Sequence, residues 1–278
     1  MIKPMLAHKV GKKDIDFSDK VFLQRKLDGV RCVFTKDGAF SRTGKQFKNV
    51  DHLESDLADF FKEHPFAVLD GELYNHVLKD DFEKIISLVR KQKTTEQDRL
   101  DAQRLVQYHV YDTITKGLKN HRYDVRYSWL VNNLPIVRST TLVKNPIVTS
   151  FKMAQDLHEV YLSEGYEGSI LRLNNPYEQK RSYNLQKFKD FSDTEATIIG
   201  YVTGKGKRIG TIGKFIMQDD EGIEFGCPPG KGYNYEDLAD MLVDVNDYIG
   251  KRATFTYFQR TKAGSYRHPL FKALRNYE

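Results

Sequence analysis

The chain has 278 residues, of which 40% are hydrophobic and 29% are charged. This length is enough for one large domain or two modest ones, and the composition argues against global disorder. No run approaches the roughly 18 consecutive apolar residues that a membrane span needs, and no apolar signal-peptide segment follows the start. Two cysteines, Cys32 and Cys227, are too few for a disulfide framework. We therefore expect a soluble, reduced, cytoplasmic protein.

The positive charge is unevenly distributed. The whole chain carries 44 Lys and Arg against 38 Asp and Glu, a net charge of +6. When the chain is divided after Lys189, residues 1–189 hold 32 basic and 25 acidic residues, a net of +7, and residues 190–278 hold 12 and 13, a net of −1. The excess suits a phosphate-rich ligand of the first part, although bulk charge indicates neither fold nor chemistry.

The first part of the chain mixes predicted strands and helices. An Asp37-Gly38 turn between two alternating runs predicts a hairpin. Apolar residues at helical spacing predict a helix over 50–62. The predicted strands are 21–25, 30–34, 39–43, 66–69, 105–112, 169–172 and 186–189, and the other predicted helices are 80–91, 95–104, 123–134 and 150–163.

The part after residue 189 has a different pattern. Its predicted strands are 196–202, 214–217, 223–225, 252–258 and 267–271, with a Gly/Lys loop over 204–210 and one helix over 235–244. About five short strands and one helix are compatible with a small OB-type barrel. We therefore predict two domains, residues 1–189 and residues 190–278.

One short segment, Lys26-Leu27-Asp28-Gly29-Val30-Arg31, combines residue types that suit chemistry at phosphorus. A lysine attacks phosphorus only as the neutral amine, so the ordinary pKa of about 10.4 has to be lowered by positive charge or desolvation. Arg31 is placed to contribute that charge while holding a phosphate or ribose. The Asp28-Gly29 turn would bring the chain close to a nucleotide. A charged surface turn is the alternative interpretation of the same residues.

Further pieces follow in chain order, and each has an ordinary alternative. Asp70-Gly71-Glu72 follows a predicted buried strand, and by itself it is typical of a turn. Tyr111-Asp112 ends another predicted strand, and by itself the tyrosine is typical of a core residue. Glu164-Gly165-Tyr166-Glu167-Gly168 offers carboxylates and glycines that suit Mg²⁺ and phosphate, or a solvated loop. Lys187 and Lys189 share one face of a predicted strand. There they would either bind an α-phosphate together or be ordinary exposed lysines.

In this order and spacing the pieces resemble the covalent nucleotidyltransferase superfamily, most closely the ATP-dependent DNA ligases. The resemblance runs over nearly the whole chain. It implies an α+β protein, with an ATP-grasp-like nucleotidyltransferase (adenylation) domain followed by a small β-barrel OB-fold domain. It also implies a role for each matching residue: Lys26 as the adenylated nucleophile, Arg31 on the ribose or nick 5′-phosphate, Arg42 (in Ser41-Arg42-Thr43) on the nick phosphate, Glu72 on ribose and metal, Tyr111 stacked on adenine, Glu167 on metal, Lys187 and Lys189 on the α-phosphate, and Arg267 and Arg275 on the leaving pyrophosphate.

The implied reaction has three steps. Lys26 attacks the α-phosphate of ATP, the AMP passes to the 5′-phosphate at a nick in duplex DNA, and the 3′-hydroxyl displaces AMP. The resemblance implies Mg²⁺ or Mn²⁺ as cofactor, a monomer, and roles in DNA replication, repair and recombination, in the host cytoplasm if the source is viral. Residues 188–193 would be the hinge between the domains.

Departures from the larger ligases concern DNA binding. The chain starts about 25 residues before Lys26, without the N-terminal DNA-binding domain of cellular ligases, and residues 201–225 are too short for a latch insertion. Its size resembles phage, viral or minimal bacterial ligases. We expect the basic first domain and the loop residues Lys205, Lys207 and Arg208 to supply DNA affinity instead.

Four alternatives stay open at this point. An mRNA capping guanylyltransferase shares the Lys26 motif but uses GTP, although the Arg267-His268-Pro269 tail favours a ligase. An RNA ligase fits less well because those enzymes usually lack this kind of barrel. The other two are a non-catalytic nucleic-acid-binding relative with a decayed site and a structural protein with incidental motifs.

Overall fold

The structure is a computed structural model that describes residues 2–11, 14–79, 81–188, 192–230, 232–257, 260–261 and 264–275. The chain forms two compact units, Met1–Lys189 and Asp190–Glu278, and each is described by itself. Both units combine helices and sheets, which confirms the predicted α+β class.

The first unit contains ten strands and six α-helices among the described residues. The strands are β1 (Leu6–Lys9), β2 (Val21–Arg25), β3 (Val30–Thr35), β4 (Gly38–Ser41), β5 (Leu69–Tyr74), β6 (Gln107–Thr113), β7 (Thr140–Leu142), β8 (Ile147–Val148), β9 (Ser169–Leu173) and β10 (Arg181–Phe188). The helices are α1 (Asp51–Asp56), α2 (Ala58–Glu63), α3 (Phe82–Val89), α4 (Glu96–Leu105), α5 (Tyr123–Asn133) and α6 (Phe151–Ser163). The strands form two five-stranded sheets, sheet I in the order β1-β10-β9-β2-β8 and sheet II in the order β4-β3-β5-β6-β7.

Helices cover one face of each sheet. Side chains from α1 to α5 pack against the apolar face of sheet II, where Cys32 and Leu69 are fully buried. Helix α6 packs against sheet I through residues such as Ala154 and Tyr161. The alternation of β3 explains the division, because Val30, Cys32 and Phe34 enter the core while Arg31 lies on the opposite face.

The uncovered faces of the two sheets are linked by buried polar contacts. Arg172 on β9 of sheet I donates to the carboxylate of Asp112 on β6 of sheet II. Arg126 on α5 donates to the same carboxylate through Nε at 2.7 Å and Nη2 at 3.0 Å. A small apolar cluster of Met5, Ile114, Tyr177 and Leu185 lies beside these charges. The space between the sheets therefore contains paired charges as well as apolar packing.

The second unit is built on a single sheet. Its elements are β11 (Ser192–Thr203), β12 (Ile212–Gln218), β13 (Glu224–Cys227), α7 (Tyr235–Val243), β14 (Arg252–Tyr257) and β15 (Leu270–Leu274). The antiparallel strand order is β13-β12-β11-β14-β15, and the core contains Phe215, Phe255, Phe271 and Met241 of α7.

Several predicted elements differ from the structure. The predicted helix 50–62 is two helices, because Leu57 leaves helical geometry at φ −99° and ψ 2°. The Asp70-Gly71-Glu72 segment lies inside β5, not in a turn after a strand, and Phe66 at the predicted strand start is 78% exposed. β5 continues through the segment because it pairs with β3 on one side and β6 on the other. Tyr111-Asp112 likewise lies within β6, and the last predicted strand, 267–271, is found at 270–274.

Three short strands, β1, β7 and β8, were not predicted. Each has two to four residues and lies at a sheet edge, and in strands this short alternation is hard to distinguish from chance. No helix in the described ranges is both long and apolar enough to cross a bilayer.

The Asp112 cluster generates a stability prediction. Arg126 and Asp112 are both fully buried, so Arg126→Met should lower the free energy of unfolding by about 3 kcal/mol, because it leaves Asp112 with one guanidinium partner. Urea denaturation measures the change. Arg104→Met is the matched control, since the Arg104 side chain is 70% exposed and its pair with Asp101 should contribute well under 1 kcal/mol. Equal losses in the two variants would contradict a structural role for the cluster.

Candidate active site

Lys26 lies at the end of β2, on the side of sheet I that faces sheet II. Its backbone is fixed by two hydrogen bonds: the Lys26 N–H donates to the Gly168 carbonyl at 2.9 Å, and the Glu167 N–H donates to the Lys26 carbonyl at 3.2 Å. The Lys26 Nζ also pairs with the carboxylate of Glu167, whose side chain is only 6% exposed. The sequence predicts positive charge beside Lys26, whereas the group in contact is negative. The ion pair must therefore separate before the amine can attack phosphorus.

Two glycines of the sequence motifs allow strands to approach closely. A Cβ at Gly29 would lie 2.4 Å from the carbonyl oxygen of Leu73, so β3 could not pair with β5 as it does. Gly168 has φ +141°, and a Cβ there would lie 2.5 Å from the carbonyl oxygen of Phe188. The predicted reason for Gly29, a tight turn toward a nucleotide, is thus accompanied by a packing reason inside the protein.

Arg31 is anchored to Asp70 on the neighbouring strand. The Arg31 Nε and Nη2 donate to the two Asp70 oxygens at 2.7 and 2.6 Å, a bidentate ion pair. The Arg31 guanidinium also lies 4.9 Å from the centroid of the Tyr111 ring. Arg31 is directly opposite Glu72 in the β3–β5 ladder, so Arg31, Asp70 and Glu72 share one face of sheet II.

Glu72 and Tyr111 form the next part of the same face. The Tyr111 hydroxyl lies 3.2 Å from both Glu72 Oε2 and the Gly71 carbonyl oxygen. Burial raises the pKa of Glu72 to about 7, although the positive charges of Arg31 and Lys26 oppose the rise. Glu72 is therefore a carboxyl group that exchanges its proton near neutral pH, close enough to Lys26 to interact with it.

The ring of Tyr111, predicted to stack on adenine, is closely surrounded by other side chains. Tyr111 is 5% exposed, and the guanidinium of Arg172 lies 5.8 Å from its ring in addition to that of Arg31. An adenine would need a ring face that neither guanidinium covers.

The other predicted residues of the first unit lie at different places. Arg42 is exposed on the turn after β4, and antiparallel pairing of Cys32 with Ser41 brings that turn alongside Arg31. Lys187 is half-buried on β10, paired with Ile170 of β9. Lys189 lies outside the described residues, as do positions 189–191 of the predicted hinge.

The predicted residues of the second unit are described within that unit alone. Arg275 pairs with Glu195 at 3.0 Å, and Arg267 is half-buried. Lys205, Lys207 and Arg208 are all exposed, in and beside a short 3-10 turn over Gly206–Arg208.

The sequence analysis did not predict the roles of Asp70, Arg126, Arg172 and Tyr177 in holding the site together. One usable signal existed for Arg126. It follows Tyr123 by three residues and precedes Leu130 by four, and both neighbours are fully buried, so helical spacing places Arg126 on the buried face of α5. A lone arginine on an apolar helix face requires a buried acid as partner.

The donor set fits a magnesium ion. Mg²⁺ is usually bound by one or two carboxylates plus substrate phosphates and several waters. Glu72, across from Arg31, provides one such carboxylate, and Glu167 would provide a second once its pair with Lys26 has separated. Asp70 is held by Arg31 in a bidentate pair. Within the described ranges no cluster of three or more His, Cys, Asp or Glu residues forms an all-protein metal cage.

The raised pKa of Glu72 generates a pH prediction. A folded-state carboxyl with a pKa of about 7 ionises less readily than the same group in the unfolded chain, so the contribution of Glu72 to wild-type stability should fall as the pH rises from about 4.5 to 7. The Glu72→Gln variant has no ionisable group at this position, so it does not show this decrease in unfolding free energy. The difference in unfolding free energy between the variant and wild type should therefore grow by up to about 3 kcal/mol between pH 4 and pH 8. Urea denaturation across this range measures it, and a difference that is constant with pH would contradict the assignment.

Comparison with known proteins identifies the family. A family model described as the ATP dependent DNA ligase domain matches residues 4–189, and one described as the DNA ligase OB-like domain matches residues 203–275. These matches confirm the predicted fold class, in which a nucleotidyltransferase domain is combined with an OB-fold-like domain.

Relatives in sequence are DNA ligases of viral, phage and bacterial origin. A DNA ligase of African swine fever virus is 29% identical over 230 residues, covering 76% of this chain and 52% of the relative. The DNA ligase of Enterobacteria phage T4 is 26% identical over 89% of this chain and 62% of its own length, and that of Haemophilus influenzae is 26% identical over 90% and 84%. The chain thus spans about half the length of the swine fever virus relatives.

Solved structures agree on the fold. A Lig E DNA ligase superposes with a TM-score of 0.81 at 24% identity, covering 99% of this chain and 100% of that one. The ATP complex of the bacteriophage T7 ligase gives a TM-score of 0.54 at 18% identity, covering 99% of each chain. Since the first family match alone spans well over half of the residues, the chain belongs to the ATP-dependent DNA ligase family.

Proposed function

We propose that this protein seals nicks in double-stranded DNA, using ATP and a divalent cation, through a covalent Lys26–AMP intermediate. The observation that carries the proposal is the position of Lys26. Its amine is in contact with Glu167 on the side of sheet I that faces sheet II, and its charge interacts with Glu72. The family match covers residues 4–189 of this unit.

The proposed first step is an in-line displacement at the α-phosphorus of ATP. Once the pair with Glu167 has separated and the Lys26 ammonium has lost a proton to solvent, the neutral amine forms a bond to phosphorus. The bond from phosphorus to the pyrophosphate oxygen breaks as this bond forms, and the nitrogen then loses a second proton to solvent. Glu167, released from its contact with Lys26, is then available to a cation. Positioning and charge neutralisation dominate such displacements, which is why the surrounding arginines and lysines matter.

We assign the remaining first-unit residues by the chemistry each can offer. Arg31 and Lys187 would hold ribose or phosphate oxygens, and Arg42, exposed beside Arg31, would contact the nick phosphate. Glu72 and Glu167 would hold Mg²⁺ or Mn²⁺. A bound cation would neutralise charge on the transferring phosphate and the leaving pyrophosphate.

The second unit would contribute at two places. Arg267 and Arg275 are proposed to orient the pyrophosphate, and the pair between Arg275 and Glu195 would then have to open. Lys205, Lys207 and Arg208 are proposed to bind the DNA backbone, because three exposed cations in one short turn suit contact with phosphates.

The covalent step predicts a mass change. Purified protein incubated with Mg²⁺ and ATP should gain one AMP group, seen by intact mass spectrometry as an acid-labile adduct. The Lys26→Ala variant should gain none, because no other amine replaces the nucleophile. Lys20→Ala is the matched control, since Lys20 precedes β2 and pairs with Asp124 on the surface, and it should be adenylated like wild type.

The nucleotide choice separates the alternatives. A GMP adduct formed from GTP would favour the capping guanylyltransferase over the ligase as the function of this protein. No adduct from either nucleotide, with folded protein that is not already adenylated as isolated, would leave only a nucleic-acid-binding role.

The basic turn predicts a salt-dependent effect on DNA binding. Replacing Lys205, Lys207 and Arg208 together by alanine should weaken binding to a nicked duplex and lower the slope of log affinity against log salt by about 1 for each lost phosphate contact. Equilibrium binding at several salt concentrations measures the slope. The matched control replaces Lys62, Lys93 and Arg104, which are exposed on the helical side of sheet II. Unchanged affinity in the first variant at moderate salt would refute the role of the turn.

A further inference from the structure

A closed ring of hydrogen bonds lies beneath Arg31. Arg31 donates to both Asp70 oxygens, the Tyr177 hydroxyl donates to Asp70 Oδ2 at 2.6 Å, and the Met5 N–H donates to the Tyr177 oxygen at 2.6 Å. Arg31 Nη2 closes the ring by donating to the Met5 carbonyl at 3.2 Å. Four residues far apart in sequence are thereby connected around one guanidinium.

The ring uses a definite share of the hydrogen-bonding capacity of Arg31. A guanidinium has five N–H groups, and three of them, on Nε and Nη2, bind Asp70 and Met5. Within the described part of the chain, Nη1 has no hydrogen-bond partner, and the Arg31 side chain is 18% exposed. The ring therefore fixes the guanidinium on one side and leaves two donors on the other for a substrate oxygen.

Tyr177 connects the N-terminal segment to Asp70. Its side chain is buried, with 6% exposure, and its hydroxyl both donates and accepts. Burial and the nearby Asp70 charge raise the pKa of Tyr177 well above its ordinary value, so the hydroxyl keeps the proton that it donates. The bidentate grip fixes Arg31 relative to Asp70, and Asp70 in turn is fixed by Tyr177.

We propose that Tyr177, together with the backbone of Met5, is a positioning residue that holds Asp70 and so presents Arg31 to the nucleotide. The inference rests on the proposed adenylation activity. Tyr177 touches no reacting group itself. Without its hydroxyl, Asp70 loses a hydrogen bond and the Met5 N–H is left unpaired, so the Arg31 fork can shift relative to Lys26. Shifts on the scale of 1 Å are enough to slow a positioned reaction strongly.

A double-mutant cycle on the full chain tests whether Tyr177 acts through Arg31. The four proteins are wild type, Tyr177→Phe, Arg31→Lys, which cannot form the bidentate fork, and the double variant. Each is freed of bound AMP, and single-turnover formation of the AMP adduct is followed at saturating ATP and Mg²⁺. Thermal unfolding is recorded in parallel, and Tyr127→Phe, which removes a hydroxyl bound 3.1 Å from the Val143 carbonyl oxygen, is the matched control.

We expect Tyr177→Phe to slow adduct formation about 10-fold, an effect typical of losing a residue that orients a ligand-binding group. Tyr127→Phe should change the rate less than about 2-fold. In the Arg31→Lys background, Tyr177→Phe should add less than a further 2-fold, because the fork that it supports is already lost. If Tyr177→Phe acted only through a general structural defect, the loss of rate in the double variant would instead be the product of the losses in the two single variants.

Two results overturn the inference alone: a Tyr177→Phe rate within about 2-fold of wild type, or a full additional 10-fold loss in the double variant. If Tyr177→Phe does not fold, Asp70→Asn, which keeps the shape but weakens the grip on Arg31, replaces it in the same cycle. A wild-type protein that forms no adduct overturns the proposed function, and this inference with it.

Discussion

The structure of the first unit depends on pairing charges that are buried between two sheets. Asp70 and Asp112 are fully buried carboxylates, and three guanidinium groups, those of Arg31, Arg126 and Arg172, neutralise them. An unpaired buried charge would be far too unfavourable for a stable fold, so each acid requires its base in place. The pair between Arg172 and Asp112 joins the two sheets, and the pair between Arg126 and Asp112 joins helix α5 to sheet II. Folding of the unit and assembly of the candidate site are consequently one event.

This cluster carries one more positive than negative charge before Glu72 is counted. Such an excess favours an anionic ligand nearby, which suits a triphosphate better than a neutral ligand. The same positive charges act on Glu72. Burial raises the pKa of Glu72, and the charges of Arg31 and Lys26 oppose that rise. The net charge of +7 over residues 1–189 is therefore partly internal and not only a property of the surface.

The sequence predicted the order of the motifs much better than their contacts. Lys26, Arg31, Glu72 and Glu167 were recognisable as a set because the short motifs that contain them follow one another in the order and spacing that the DNA ligases show. The bond between Tyr177 and Asp70 joins residues 107 apart, and no local pattern specifies such a pairing. The same limit applies to Asp70-Gly71-Glu72, where pairing with strands on both sides decides that the segment is strand and not turn.

The route of the chain through the ring has a consequence for how the site forms during synthesis. Strand β1 pairs in parallel with β10, and Met5 bonds to Tyr177, 172 residues later. A growing polypeptide therefore exposes the nucleophile segment long before the partner that steadies Arg31 has left the ribosome. Contacts that close such long loops form late and slowly. The site is thus completed only when nearly the whole first unit has been made, which keeps a partly built chain from presenting an organised site to nucleotides.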